Sequence, residues 1–193
     1  HHVDVRDDVD LVDRFSGAAH VSARPAARRA LSAPSGGSEQ SERGGRSISA
    51  AGKVRIAILG AGLIGRAWAM VFARAGHPVA LHDADPGALQ RALAALDQGL
   101  ADLREARLLA ESPVAVRLRI VAAPTLAAAL EGAVYVQENI AEILEAKRTL
   151  FAAVDRLAAP GAILASATST ISASRWSEGL PGRARGIVAH PVN

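Results

Sequence analysis

The sequence predicts an α/β fold on a doubly wound parallel sheet, as a single domain behind a disordered N-terminal tail. Three observations carry that expectation. From Lys53 onward, short apolar runs alternate with Ala/Leu-rich stretches of helical spacing. That order places helices on both faces of a parallel sheet. The runs are near-continuous rather than alternating, as in Val54-Arg55-Ile56-Ala57-Ile58-Leu59, which suits strands covered on both faces. A Gly60-x-Gly62-x-x-Gly65 turn joins the first run directly to the first helical stretch.

Each element then follows in order. Leu63 to Ala75 repeats apolar residues at helical spacing, with Gly76 as its stop and Pro78 just beyond. Val79 to His82 is a second strand ending at Asp83. Pro86 to about Leu109 reads as one long helix closed before Pro113. Leu118 to Ala122 is a strand, and Leu126 to Glu131 a short helix stopped by Gly132. Ala133 to Gln137 is a strand, Glu142 to Leu157 a helix, and Pro160-Gly161 its end. Ala162 to Ala165 and Gly186 to Ala189 are the last two strands. Right-handed crossovers make a doubly wound sheet the simplest closure.

Composition narrows the function classes. Residues 1–50 crowd Asp residues, then Arg and Ala, then Gly, Ser and Pro. Such a chain buries too little apolar area to offset its ordering entropy, so a disordered or spurious extension is expected. The Arg/Ala/Ser content also admits a transit peptide, against which the acidic run stands. Residues 1–52 balance seven Arg against seven acids, so the net charge of +3 falls on the remainder. That excess is too small and dispersed for a nucleic-acid footprint, and aromatics at 3% give few stacking platforms. With no cysteine there is no disulfide framework or thiolate metal site. His20, His77 and His82 lack metal-ligand spacing, so no metal site is assigned. No apolar run nears the roughly 20 residues that span a bilayer, and the expected location is cytoplasmic.

The glycine loop carries the main chemical signal. The first Gly permits a tight turn, the second lets backbone approach a pyrophosphate, and the third lets helix and strand pack closely. The helix start would offer N–H groups and a positive dipole end to phosphate. Alone, the pattern is as much a plain turn as a nucleotide site. Asp83, 23 residues after Gly60 at the second strand's end, changes that weighing. A carboxylate there accepts from ribose hydroxyls and repels a 2′-phosphate, favouring NAD over NADP. No Arg follows Asp83 within the next few residues. The plain alternative for Asp83 is a solvated turn or helix cap.

Two further polar segments, Gln137 to Glu142 and Ser166 to Thr170, each follow a strand, and His190 closes the last one. In a doubly wound sheet those strand ends line the ligand crevice. Simpler roles exist for all of them. Glu138 and Glu142 at i, i+4 suit a helix start, Ser166 to Thr170 an ordinary turn, and Lys147 a pair with Glu145.

With these pieces in hand, residues 53–193 resemble the NAD-binding domain of the 3-hydroxyacyl-CoA dehydrogenase family, a Rossmann-type fold. The matching pieces are Ala57 through Gly65, Asp83, Glu138-x-x-x-Glu142, Lys147, Ser166-x-Thr168-Ser169 and His190-x-x-Asn193. The resemblance implies that Gly60, Ala61, Gly62, Leu63, Ile64 and Gly65 hold the NAD pyrophosphate and Asp83 the adenosine ribose. Glu142, Lys147 and Asn193 would lie along the nicotinamide half. Ser169 would bond near the substrate hydroxyl, and His190 would be the general base, since an imidazole's ordinary pKa of about 6.5 suits that step. The implied substrate is a 3-hydroxyacyl-CoA in fatty acid metabolism. His190-Pro191-Val192-Asn193, and the lack of Lys between Asp83 and Lys147, resemble the branch acting on small free 3-hydroxy acids, the L-gulonate 3-dehydrogenase and lambda-crystallin group. A non-catalytic, crystallin-like NAD-binding protein is the rival from another class. The family also implies a homodimer, an acidic partner for the histidine and a C-terminal helical domain, none of them within these residues. The chain alone is therefore expected to bind NAD and turn over little.

Overall fold

The computed structural model describes residues 52–191. The expected tail over 1–50 and the expected cofactor contact Asn193 lie outside the described residues. Six parallel strands stand in the order β3-β2-β1-β4-β5-β6. They are β1 Arg55–Leu59, β2 Val79–His82, β3 Ile120–Ala122, β4 Ala133–Glu138, β5 Ile163–Ser166 and β6 Gly186–Val188. Chain order reverses between β1 and β4, the switch point at which such sheets bind ligands.

Helices cover both faces, because consecutive strand residues point opposite ways. Ile56 and Ile58 of β1 face α1 (Leu63–Arg74), α2 (Pro86–Glu105) and α3 (Pro113–Arg117), where Met70, Leu96, Leu100 and Val116 pack on them. Ala57 and Leu59 face the opposite layer: α4 (Leu126–Leu130), α5 (Leu144–Leu157) and α6 (Ala173–Trp176). There Phe151 of α5 stacks on the fully buried Trp176 of α6, with ring centroids 3.9 Å apart. No helix among the described residues is long and apolar enough to cross a membrane.

Register builds the rim that matters for function. Leu59 pairs with His82 on one side and Glu138 on the other. Glu138 pairs with Ser166, and Ser166 with Val188. The residues just past these ends, Gly60, Asp83, Asn139, Ala167 and Ala189, therefore emerge along one edge of the sheet.

Several expected boundaries move. The long helix stops at Glu105, where Arg107 turns the chain with a φ of 61°. Pro113, read as a breaker, instead opens α3: Ser112 Oγ accepts from Ala115 N–H at 3.2 Å and caps it. That helix takes Arg117, and Leu118 is its C-cap, so β3 begins only at Ile120. Glu138 and Glu142 do not share a helix start. Glu138 ends β4, and Glu142 lies in the loop before α5, held there by the turn after β5. The four-residue helix α6 was not expected.

Candidate cofactor and substrate site

The three glycines of the β1–α1 loop do three different jobs. Gly60 has a φ of 93°, and a Cβ there would stand 2.8 Å from the Asn139 carbonyl oxygen. A Cβ on Gly65 would overlap the Gly60 carbonyl, so its absence lets α1 pack on the turn. Gly62 meets nothing within 4 Å, so its missing side chain serves space outside the protein. At Gly62 the helix also opens without a side-chain cap and without an acidic residue in its first turn. Leu63 and Ile64 occupy that first turn. Open space against uncapped N–H groups fits a pyrophosphate.

Asp83 is tied to the same loop. Its Oδ2 accepts from Ala61 N–H at 2.7 Å and its Oδ1 from Asp85 N–H at 2.9 Å. Each carboxylate oxygen has a second acceptor site, so ribose hydroxyls remain bondable. A crevice of about 350 Å³ lies between Ala61, Gly62 and Arg66 on one side and Ala88, Arg91 and Ala92 on the other, with Asp83 in its lining. That is the lower end of the usual size for a ligand pocket. Arg66 and Arg91 did not stand out in the sequence. Arg91 lies eight residues past Asp83 and reaches the crevice only because α2 starts at Pro86 and faces it.

The other end of the rim is a polar network. Lys147 and Glu138 are both fully buried, and Lys147 Nζ lies 2.7 and 2.9 Å from the two Glu138 oxygens. Glu138 also accepts from Ile140 N–H at 2.6 Å and from the Ser166 hydroxyl. Lys147 reaches on to Glu142 Oε2 at 3.5 Å. Lys147 is thus an interior bridge between Glu138 and Glu142, while Glu145 pairs with Arg148.

Glu142 gathers the turn after β5. Its Oε1 accepts from the Thr168 hydroxyl, from Ser169 N–H at 3.0 Å, and from Thr170 N–H at 3.0 Å and hydroxyl at 3.1 Å. Burial pushes this carboxyl up, but the bonds from Thr168 and Thr170 and the Lys147 ammonium outweigh it. The balance lowers it from an ordinary 4.5 to about 2. Glu142 is therefore a fixed anion on that turn, with Thr168 and Thr170 of the Ser166 to Thr170 segment as its partners.

Ser169 and His190 meet on this rim. Ser169 Oγ and His190 Nε2 are hydrogen-bonded at 2.7 Å, and both residues are exposed on the rim. The end of β6 that carries His190 is fixed by Ala189 N–H donating to Ser166 O at 3.0 Å. Gln137 adds a second tether: its Nε2 donates to Ala189 O at 3.3 Å, and its Oε1 accepts from Tyr135 OH at 2.8 Å. Burial pushes the Tyr135 phenol up to about 12, so it stays a donor. Upstream, Arg185 of the turn before β6 pairs with Asp155 of α5 at 2.7 Å.

Comparison with known proteins agrees with this geometry. The family described as 3-hydroxyacyl-CoA dehydrogenase, NAD binding domain, matches residues 55–193. A lambda-crystallin homolog of Bos taurus is 40% identical over 140 residues, covering 72% of this chain and 44% of that protein. An L-carnitine dehydrogenase/betainyl-CoA thioesterase of Agrobacterium fabrum is 37% identical over 141 residues, covering 72% of this chain and 28% of that protein. The structure of 3-hydroxybutyryl-CoA dehydrogenase from Escherichia coli K12 superposes with a TM-score of 0.66 at 29% identity, covering 72% of this chain and 29% of that one. The chain spans less than half the length of these relatives. A parallel sheet in this strand order, a glycine loop shaped around empty space and a family match over residues 55–193 agree: the chain belongs to the 3-hydroxyacyl-CoA dehydrogenase family and carries its NAD-binding domain.

Proposed function

We propose that the chain forms the cofactor-holding part of an oxidoreductase that oxidises the hydroxyl carbon of a 3-hydroxy substrate, with His190 as general base. The observation that carries this reading is the 2.7 Å bond between Ser169 Oγ and His190 Nε2 on the same rim as the glycine loop. Bound NAD supplies the hydride acceptor. His190 takes the proton of the substrate hydroxyl, and Ser169 fixes the direction of that hydroxyl. Glu142 holds Ser169 through its backbone N–H and keeps negative charge beside the turn. Leu63, Ile64 and Gly65 present first-turn N–H groups to the pyrophosphate, and Asp83 receives the adenosine ribose.

For the substrate, a small free 3-hydroxy acid is favoured over an acyl-CoA. No lysine stands between Asp83 and Lys147 to meet a CoA phosphate, and a relative is named for L-carnitine.

The test is His190→Ala in the full-length protein, following NADH formation with 3-hydroxy acids. A general base contributes about 10²–10⁴ in rate, so kcat falls by at least about a hundredfold while NADH affinity stays within about twofold. An unchanged kcat refutes the base. No turnover by the unsubstituted protein on any 3-hydroxy acid or thioester points to a binding protein instead.

A further inference from the structure

The crevice beside Asp83 contains more charge than a ribose site requires. Arg66 enters it from α1 and Arg91 from α2. Arg91 is ion-paired with Asp85. Its Nη2 lies 3.1 Å from Asp85 Oδ2, although its side chain is 74% exposed. Asp85 is fixed in turn, because its Oδ1 accepts from Gly87 N–H at 2.8 Å as the N-cap of α2. Gly87 makes the arrangement fit. A Cβ there would stand 3.0 Å from Arg91 Nη1 and 3.1 Å from Asp85 Oδ1. The guanidinium therefore folds back over the helix start and reaches the crevice mouth.

We infer that Arg91, preset by Asp85 across Gly87, is a cofactor-specificity residue: its guanidinium plane stacks on the adenine ring of the dinucleotide. A planar guanidinium stacks well on aromatic faces, and a side chain already ion-paired loses less freedom on binding. The neighbouring charges decide between a base and a phosphate. A 2′-phosphate placed against Arg91 would also face Asp83 and Asp85, whereas a neutral ring meets no such repulsion. Arg91 thus recognises adenine and does not open the site to NADP. This inference rests on the dinucleotide occupying this crevice.

The experiment measures binding of NADH, ADP-ribose, reduced nicotinamide mononucleotide and NADPH to the chain and to Arg91→Ala, Arg91→Lys and Arg91→Gln. Arg91→Ala weakens NADH and ADP-ribose about five- to tenfold, by the strength of such a stack. It leaves the mononucleotide, which lacks adenine, unchanged. Arg91→Lys keeps the charge and loses the plane, so it weakens NADH as Ala does. Circular dichroism and melting temperature check that α2 is intact, and Arg91→Gln replaces any variant that fails to fold. Unchanged NADH affinity in Arg91→Ala, full affinity in Arg91→Lys, or NADPH binding tighter than NADH each overturns the inference. Absence of NADH binding by the unsubstituted chain overturns the cofactor site itself, which is a separate result.

Discussion

Lys147→Met tests whether the buried network beneath the rim is structural as well as chemical. Lys147 is 1% exposed and its partner Glu138 is 0% exposed. The ammonium bonds both Glu138 oxygens at 2.7 and 2.9 Å and stands 3.4 Å from the Ile140 carbonyl. Met keeps most of the apolar stem and loses the charge, so Glu138 is left as a buried anion. Removing one partner of a buried ion pair costs about 3–5 kcal/mol. Glu138 keeps its bonds from Ile140 N–H and the Ser166 hydroxyl, which places this case near the low end, about 3 kcal/mol. At roughly 2–4 °C per kcal/mol for a domain of this size, the melting temperature falls about 10 °C. Urea unfolding followed by circular dichroism measures the same loss directly. Adding Glu138→Gln removes the stranded charge, and the double variant recovers about 1 kcal/mol or more relative to the single. A loss below about 1 kcal/mol in Lys147→Met, or a double variant no more stable than the single, refutes the reasoning.

The glycine loop yields a three-way contrast. Gly65→Ala drives a methyl into the Gly60 carbonyl, and Gly60→Ala meets both a φ of 93° and the Asn139 carbonyl. Both lower thermal stability by several degrees. Gly62→Ala meets open space, so it melts like the parent but binds NADH at least about tenfold more weakly, because its methyl stands where the pyrophosphate approaches; equal NADH affinity for parent and Gly62→Ala sinks that reading. Glu142 predicts an acid limit. Its folded pKa, about 2, lies below the ordinary 4.5, so its contribution is complete above pH 4.5 and is lost as pH falls towards 2. After allowance for its partial exposure the contribution is about 1 kcal/mol. Glu142→Gln therefore flattens the stability–pH curve between pH 4.5 and 2 relative to the parent; a curve that keeps its slope there contradicts the assignment.

What could be read from the sequence was whatever is enforced by neighbours along the chain. The glycines, the β1 run and Asp83 sit within one β-α-β unit, so their spacing carries the geometry. Ser112-Pro113 is also local, but a Pro after a long helical stretch reads as a stop, and the capping Ser before it makes it a start. The start of α5 could not be read the same way. Glu142 looks like a first-turn acid, and it leaves the helix because four donors in the turn after β5, 26 to 28 residues away, claim its Oε1. The pairing of Glu138 with Lys147 was hidden for a related reason. Sequence shows a charge at the end of an apolar strand, and only the packing of α5 on β4 supplies its counter-ion.

The two ends of the rim consequently answer differently to substitution. At the glycine-loop end, side chains hang from backbone N–H groups: the half-buried Asp83 from those of Ala61 and Asp85, the exposed Asp85 from that of Gly87. Changes to Arg91 there move affinity and leave the core intact. At the other end, Glu138 and Lys147 belong to the interior, and the exposed Glu142 ties the turn after β5 to them. A loss of rate in a Glu142 or Lys147 variant therefore mixes chemistry with a loosened turn, and has meaning only beside its melting temperature. Ser169 and His190 escape that ambiguity. Both are exposed, and their mutual bond uses side-chain atoms alone. Kinetics of Ser169→Ala and His190→Ala consequently report on proton transfer itself, and those two positions are where the proposed mechanism stands or falls.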